Sequence, residues 1–160
     1  AGGNLALSAA MEWKKHSGQH VQGVGLFSPS LDLRAHSNSN RSNQTDLSPF
    51  ERLDMVEYAS HYLRGCPAED PRVAPLDQAL LGLKNVYIEA SKAEYLYPDF
   101  ELACEAFRSQ NVSFVDRLET SALHGWQLFP DVLPEAKRSI QAIAEFIQAY
   151  SHHLNPTAEE

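Results

Sequence analysis

The chain has 160 residues, 43% of them hydrophobic and 21% charged, proportions that fit one ordinary globular domain and exclude a collagenous or disordered chain. Against 13 basic side chains stand 21 acidic ones, a net charge of −8 that excludes a general nucleic-acid or anionic-membrane surface. No apolar run approaches the roughly 18 residues of a membrane span, and Cys66 and Cys104 are too few for a disulfide scaffold or a structural zinc site, so the pair fits a reducing, cytoplasmic compartment.

The sequence opens directly on Ala1-Gly2-Gly3-Asn4, with no initiator Met and no signal peptide, and is expected to be a piece of a longer protein. Ala1 to His16 reads as a helix, because Leu5, Ala6, Ala9, Ala10 and Trp13 recur at helical spacing and Gly18 follows the basic last turn. Val21 to Phe27 alternates apolar with small or polar residues and stops at Ser28-Pro29, the pattern of a strand. Arg34 to Asp46 is rich in Ser and Asn and carries the least pattern; its Asn-Xaa-Ser/Thr triplets, like the one at Asn111, are read as chance matches.

Ser48-Pro49-Phe50-Glu51 has the form of a capping box with Pro at the first helical position, and an apolar stripe then runs from Phe50 to Leu63 before Gly65. Cys66 to Gly82 is a Pro-containing connection. Asn85 to Ile88 reads as a short buried strand, Pro98 to Ser109 as a helix, and Val112 to Glu119 as a strand. Pro134 to Tyr150 is the strongest helix, with Ala136, Ile140, Ile143, Ala144, Phe146 and Ile147 on one face. The domain therefore spans residues 1–150, with a cap-like or surface segment at about 34–69, and residues 151–160 form a polar tail. Alternating helix and strand predicts an α/β fold with a parallel sheet and helices on both faces.

Four short motifs then carry a resemblance. Ala1-Gly2-Gly3-Asn4 is similar to the second half of the Gly-Asp-Ser-Ala-Gly-Gly-Asn elbow of α/β-hydrolases in the hormone-sensitive-lipase-like esterase group. In that elbow the nucleophilic Ser immediately precedes the residue matching Ala1, on a sharp strand-to-helix turn. Ile88 to Asp99 resembles the acid loop after the family's seventh strand, whose pattern is an acid, any residue, Leu and a further Asp. Glu94, two before Leu96, falls on the acid position and Asp99 on the later structural one, where it also reads as a simple helix cap. Leu123-His124-Gly125-Trp126 resembles the histidine loop, where His-Gly-Phe or His-Xaa-Trp recurs before a last amphipathic helix. Asp70-Pro71-Arg72-Val73-Ala74-Pro75-Leu76 resembles the stretch that returns from the cap insertion, with Ala74 in place of the usual Ser.

The order nucleophile, acid, histidine is that of the α/β-hydrolases. The resemblance implies the C-terminal half of an α/β-hydrolase and a carboxylesterase or lipase-like activity through an acyl-enzyme. It assigns Glu94 and His124 to the triad, with Asp99 as the alternative acid, and gives the Ala1 N–H one place in the oxyanion hole. The nucleophilic Ser and the His-Gly-Gly oxyanion motif lie outside the sequence, so these 160 residues alone are expected to be inactive. A small apolar ester is the implied substrate; no cofactor, metal, nucleic acid or membrane span is implied, and acyl-chain length and oligomeric state are left open.

Two other classes compete. A non-catalytic small-ligand binding module on the same fold would lose the catalytic histidine, which His124 argues against. A nucleotide binder using Gly2-Gly3 as a phosphate cradle lacks Gly-Xaa-Gly-Xaa-Xaa-Gly and the strand before it. The esterase reading makes geometric demands. Ala1, Glu94 and His124 must meet at the carboxyl edge of the sheet, and Leu5, Leu7, Ala9 and Trp13 are expected to lie exposed where further elements would cover them.

Overall fold

The computed structural model describes residues 1–34, 57–67, 69–80 and 82–151. Among these, helix α1 (Gly2–Ser17) precedes strand β1 (Val24–Phe27), strand β2 (Asn85–Ser91), helix α2 (Tyr97–Ser109), strand β3 (Ser113–Glu119) and helix α3 (Pro134–Ser151). Residues 57–63 are helical, and Pro75–Asp77 and Trp126–Leu128 form single 3-10 turns. The capping box at Ser48 and the tail beyond Ser151 lie outside the described residues.

The three strands form one parallel sheet in the order β1-β2-β3. Val24 pairs with Val86 and Leu26 with Ile88 on one side of β2, while Val86 pairs with Phe114 and Ser91 with Glu119 on the other. The central strand runs three residues beyond the expected Ile88 because Glu89, Ala90 and Ser91 are all buried, although two of them are polar. A strand covered on both faces has no exposed edge of alternation to mark its end, which is why a period-2 reading stops short. Strand β1, in contrast, starts at Val24 rather than Val21.

Side-chain alternation divides the core. Val24, Leu26, Val86, Ile88 and Ala90 point to the face covered by α1 and α2, through Leu7, Ala10 and Met11 of the first and Phe100, Ala103, Cys104 and Phe107 of the second. The opposite face carries Tyr87 and Glu89 and is covered by α3, whose Phe146 ring lies 5.8 Å from that of Tyr87. Helices thus pack on both faces, as a parallel sheet requires.

Two helical faces differ from their sequence reading. On α1 the buried positions are Asn4, Leu7, Ala10 and Met11, whereas Leu5 and Trp13 are 52% and 53% exposed. Leu7, expected to be exposed, is fully buried, while Leu5, Ala9 and Trp13 are exposed as expected. Large apolar residues lie on two sides of this helix, Leu5 and Trp13 on one and Leu7 and Met11 on the other, so the buried face was set by packing rather than by pattern. On α3, Ala136, Ser139 and Phe146 are buried but Ile140 and Ile147 are 41% and 57% exposed.

The start of α1 sits hard against the turn that follows β1. A Cβ built at Gly3 would lie 2.5 Å from Pro29 Cβ and 2.9 Å from Pro29 Cα, so only glycine permits this approach. At Gly2 the corresponding space is open. Gly3→Ala is therefore expected to lower stability by about 1–3 kcal/mol in urea unfolding, whereas Gly2→Ala is expected to change it by less than about 1 kcal/mol.

Candidate functional site

Parallel strands deliver their carboxyl ends to one edge of the sheet, and the loops leaving those ends are where an open α/β sheet places its ligands. Here Ser28 follows β1, Glu94 follows β2 and His124 follows β3. The sequence folds that way locally because Ser91 and Glu119 pair at the last rung of the ladder, and the Lys92 N–H then donates to the Glu119 carbonyl.

Glu94 is buried, with a side chain only 1% exposed. Its Oε1 accepts the Ser91 N–H at 2.7 Å and the Ser28 hydroxyl at 2.8 Å. Its Oε2 lies 2.8 Å from Nδ1 of His124, whose side chain is 61% exposed. A carboxylate only accepts, so Nδ1 carries the proton and Nε2 is left as the basic nitrogen. A buried carboxylate, a donor-fixed orientation and a solvent-facing imidazole together make an acid–histidine couple able to take up and return one proton at Nε2.

Asp99 stands elsewhere. It is fully buried, and its Oδ2 accepts the Leu31 N–H at 2.6 Å and the Asp32 N–H at 3.3 Å. Nor does it cap α2, whose N-cap position, Leu96, carries no side-chain bond. The reading of Asp99 as a helix cap is corrected: the carboxylate satisfies the backbone of the turn after β1. Both acids of the loop therefore grip one segment, Glu94 through Ser28 and Asp99 through Leu31 and Asp32.

Ser28 was read only as turn punctuation. It is buried at φ 41°, in the left-handed region uncommon for residues other than glycine, and its own N–H donates to the Glu89 carbonyl. A polar residue placed directly at the carboxyl end of a parallel strand was the available signal.

Ala1 joins this rim through the same turn. Gly3 abuts Pro29, and Ala1 shares with Ser30 the lining of a cavity of about 180 Å³ completed by Asn4, Leu5, Leu33, Tyr58, Ala59 and Tyr62. Asn4 is itself buried and donates from Nδ2 to the Arg72 carbonyl at 3.2 Å, while the Leu33 N–H donates to the Val73 carbonyl at 2.8 Å. The Asp70–Leu76 stretch is thereby fastened beneath the helical residues 57–63, whose Ala59 packs on Leu33 and Val73. At its outer end Arg72 clamps Asp70 with two bonds of 2.6 and 2.8 Å and holds that carboxyl well below the usual carboxylate range.

Burial pushes the Cys104 thiol up to about 11, away from nucleophile chemistry. Among the described residues no group of three or more His, Cys, Asp or Glu is placed to hold a metal ion, and no helix is long and apolar enough to cross a membrane.

A positive-φ turn after one parallel strand, a buried acid after the next and a histidine after the third thus meet at the carboxyl edge of the sheet. The chain belongs to the alpha/beta hydrolase fold family, whose family model matches residues 1–128. It is 32% identical over 146 residues to an esterase of Acinetobacter venetianus, covering 91% of this chain and 48% of that protein. It is 30% identical over 156 residues to the esterase LipU of Mycobacterium tuberculosis, covering 92% of this chain and 52% of the relative. The chain spans about half the length of the curated relatives it matches. Among solved structures, an esterase/lipase from an uncultured bacterium superposes with a TM-score of 0.83 at 23% identity, over 94% of this chain and 50% of that one. The hormone-sensitive-lipase homologue EstE7 from a metagenome library gives 0.81 at 25%, over 94% and 52%.

The clamp on the post-β1 turn is testable by itself. Asp99→Ala leaves the Leu31 N–H without its carboxylate and is expected to cost about 1–3 kcal/mol in urea unfolding. Amide hydrogen exchange at Leu31 should accelerate in the same variant.

Proposed function

We propose that this chain is the acid- and histidine-bearing half of a serine carboxylesterase of the hormone-sensitive-lipase-like group, with its nucleophile on the residue directly before Ala1. The observation that carries the reading is the 2.8 Å bond between Glu94 Oε2 and His124 Nδ1, with Oε1 already committed to Ser28 and Ser91.

In this reading His124 Nε2 takes the serine proton as Oγ attacks the ester carbonyl. The tetrahedral oxyanion meets the Ala1 N–H, together with donors from upstream residues. Collapse breaks the bond to the alcohol, which leaves with the proton from Nε2. Water then repeats the sequence on the acyl-enzyme, and the carboxylic acid departs. Glu94 holds the tautomer and stabilises the imidazolium. Asp99 keeps the turn beneath this couple in place and takes no part in the proton transfer.

The cavity beside Ala1 is lined largely by apolar groups, Leu5, Leu33, Ala59 and the two tyrosine rings, which supports a small apolar ester as substrate. Residues 57–63 form its outer wall, the position of a cap. The unpaired thiols of Cys66 and Cys104 support a reducing, cytoplasmic site of action.

Hydrolysis of a short p-nitrophenyl ester by the full-length protein tests the assignment. His124→Ala is expected to lower kcat by roughly 10⁴-fold or more, and Glu94→Ala by roughly 10³–10⁴-fold. Asp99→Asn, which retains an acceptor for Leu31, is expected to stay within about tenfold of the parent. A full loss in Asp99→Asn with an active Glu94→Ala would transfer the acid role. Undiminished hydrolysis in His124→Ala would end the esterase reading.

A further inference from the structure

We infer that Trp126, Ser139 and Glu89 form an anchor that positions His124 for proton transfer. The inference rests on the reading of Glu94 and His124 as the acid–base couple, and it concerns how the exposed member of that couple is held.

Glu94 is over-determined by two donors beside the imidazole. His124 is not: its side chain is 61% exposed, on a loop between β3 and α3. Two residues further on, Trp126 is 1% exposed and packs with Ala122, Leu133 and Ala136. Only Gly125, at φ 74°, separates the two, so the backbone carrying His124 moves with the indole.

The indole is in turn tied to the sheet. Trp126 Nε1 donates to Ser139 Oγ at 3.0 Å, and Ser139 Oγ donates to Glu89 Oε1 at 2.8 Å. An indole N–H only donates, so Ser139 Oγ accepts from Trp126, and its single proton is shared between two acceptors, Glu89 Oε1 as the nearer and the Glu135 carbonyl. Ser139 Oγ also lies 3.0 Å from the Glu135 carbonyl one turn back, which limits its rotamers. The Tyr87 hydroxyl donates to Glu89 Oε2 at 3.1 Å, and Arg117 Nε stands 3.5 Å from Oε1.

Glu89 is fully buried on β2, five residues before Glu94 on the same run of chain. Both halves of the couple therefore take their position from β2, Glu94 from its end and His124 from its middle through the three-residue bridge. A fully buried carboxylate is a poor stabilising device compared with an apolar residue of similar volume, but it fixes the geometry of whatever bonds to it. Here that geometry is the separation of imidazole and acid.

The test uses the full-length protein and p-nitrophenyl acetate. Trp126→Phe keeps an aromatic side chain but removes the donor and part of the buried volume; Ser139→Ala breaks both links of the bridge. Each is expected to lower kcat roughly tenfold to a hundredfold, the scale of an ångström-level misplacement, with KM within about twofold. Glu89→Gln, which still offers Ser139 an oxygen, should hold kcat within about threefold. Phe146→Leu, on the same helix but outside the bridge, should lower Tm and leave kcat unchanged. Unchanged kcat in folded Trp126→Phe and Ser139→Ala would overturn the inference, as would losses that track Tm across all variants, Phe146→Leu included. A loss in Glu89→Gln as large as in Ser139→Ala would overturn the acceptor role of Glu89. His124→Ala separates the two levels: if it stays active, the acid–base reading itself fails; if it is dead while the bridge variants run at parental rate, the positioning inference alone fails.

Discussion

A carboxylate taken out of water must find donors, and at Glu94 that demand organises the edge of the sheet. The cost of burying such an ion is several kcal/mol even after relaxation, and it is offset only when the lone pairs are met. Ser91 and Ser28 meet those of Oε1, and His124 meets Oε2. Each partner comes from the carboxyl end of a different strand or the loop after it, so the three loops are ordered around one group. Moving any one of them leaves a buried acceptor short of a donor.

The turn after β1 shows how far this constraint reaches. Ser28 holds a backbone conformation with positive φ, and such positions persist where the surroundings determine them. Glu94 holds the side chain, the Glu89 carbonyl receives the Ser28 N–H, and Asp99 takes the two N–H groups that follow three and four residues later. The same turn forms the wall against which Gly3 packs, and its Ser30 shares a cavity with Ala1. The two carboxylates of the loop after β2 divide the labour, Glu94 facing a histidine and Asp99 facing backbone.

Much of this was legible in the amino-acid sequence. Parallel strands with helices on both faces followed from the alternation of elements, whereas Glu94 and His124 were singled out only by the resemblance of their loops to esterase motifs. The turn's own contribution was not legible: Ser28 looks like any polar residue before proline, and its partner lies 66 residues away. Asp99 beside Pro98 carried the signature of a helix cap, yet tertiary contacts with Leu31 took its carboxylate instead. Leu7, expected to await a covering element, instead packs into the core with Ala10 and Met11, on the opposite side of α1 from the exposed Leu5 and Trp13. Tyr87, Glu89 and Ser139 were invisible as a group, since a strand glutamate buried under a helix contradicts the polar-out expectation on which sequence patterns rest.

The central claim is that His124, held by Glu94, serves a serine placed directly before Ala1. The most direct measurement is a crystal structure of the full-length protein after reaction with a p-nitrophenyl phosphonate. The account predicts phosphorus bonded to the oxygen of a serine immediately preceding Ala1, a phosphonyl oxygen facing the Ala1 N–H, and His124 Nε2 within hydrogen-bonding distance, about 2.6–3.2 Å, of the serine oxygen or the phosphonyl group. Phosphorus on any other residue, or an imidazole turned away from it with the Glu94 bond intact, would contradict the account.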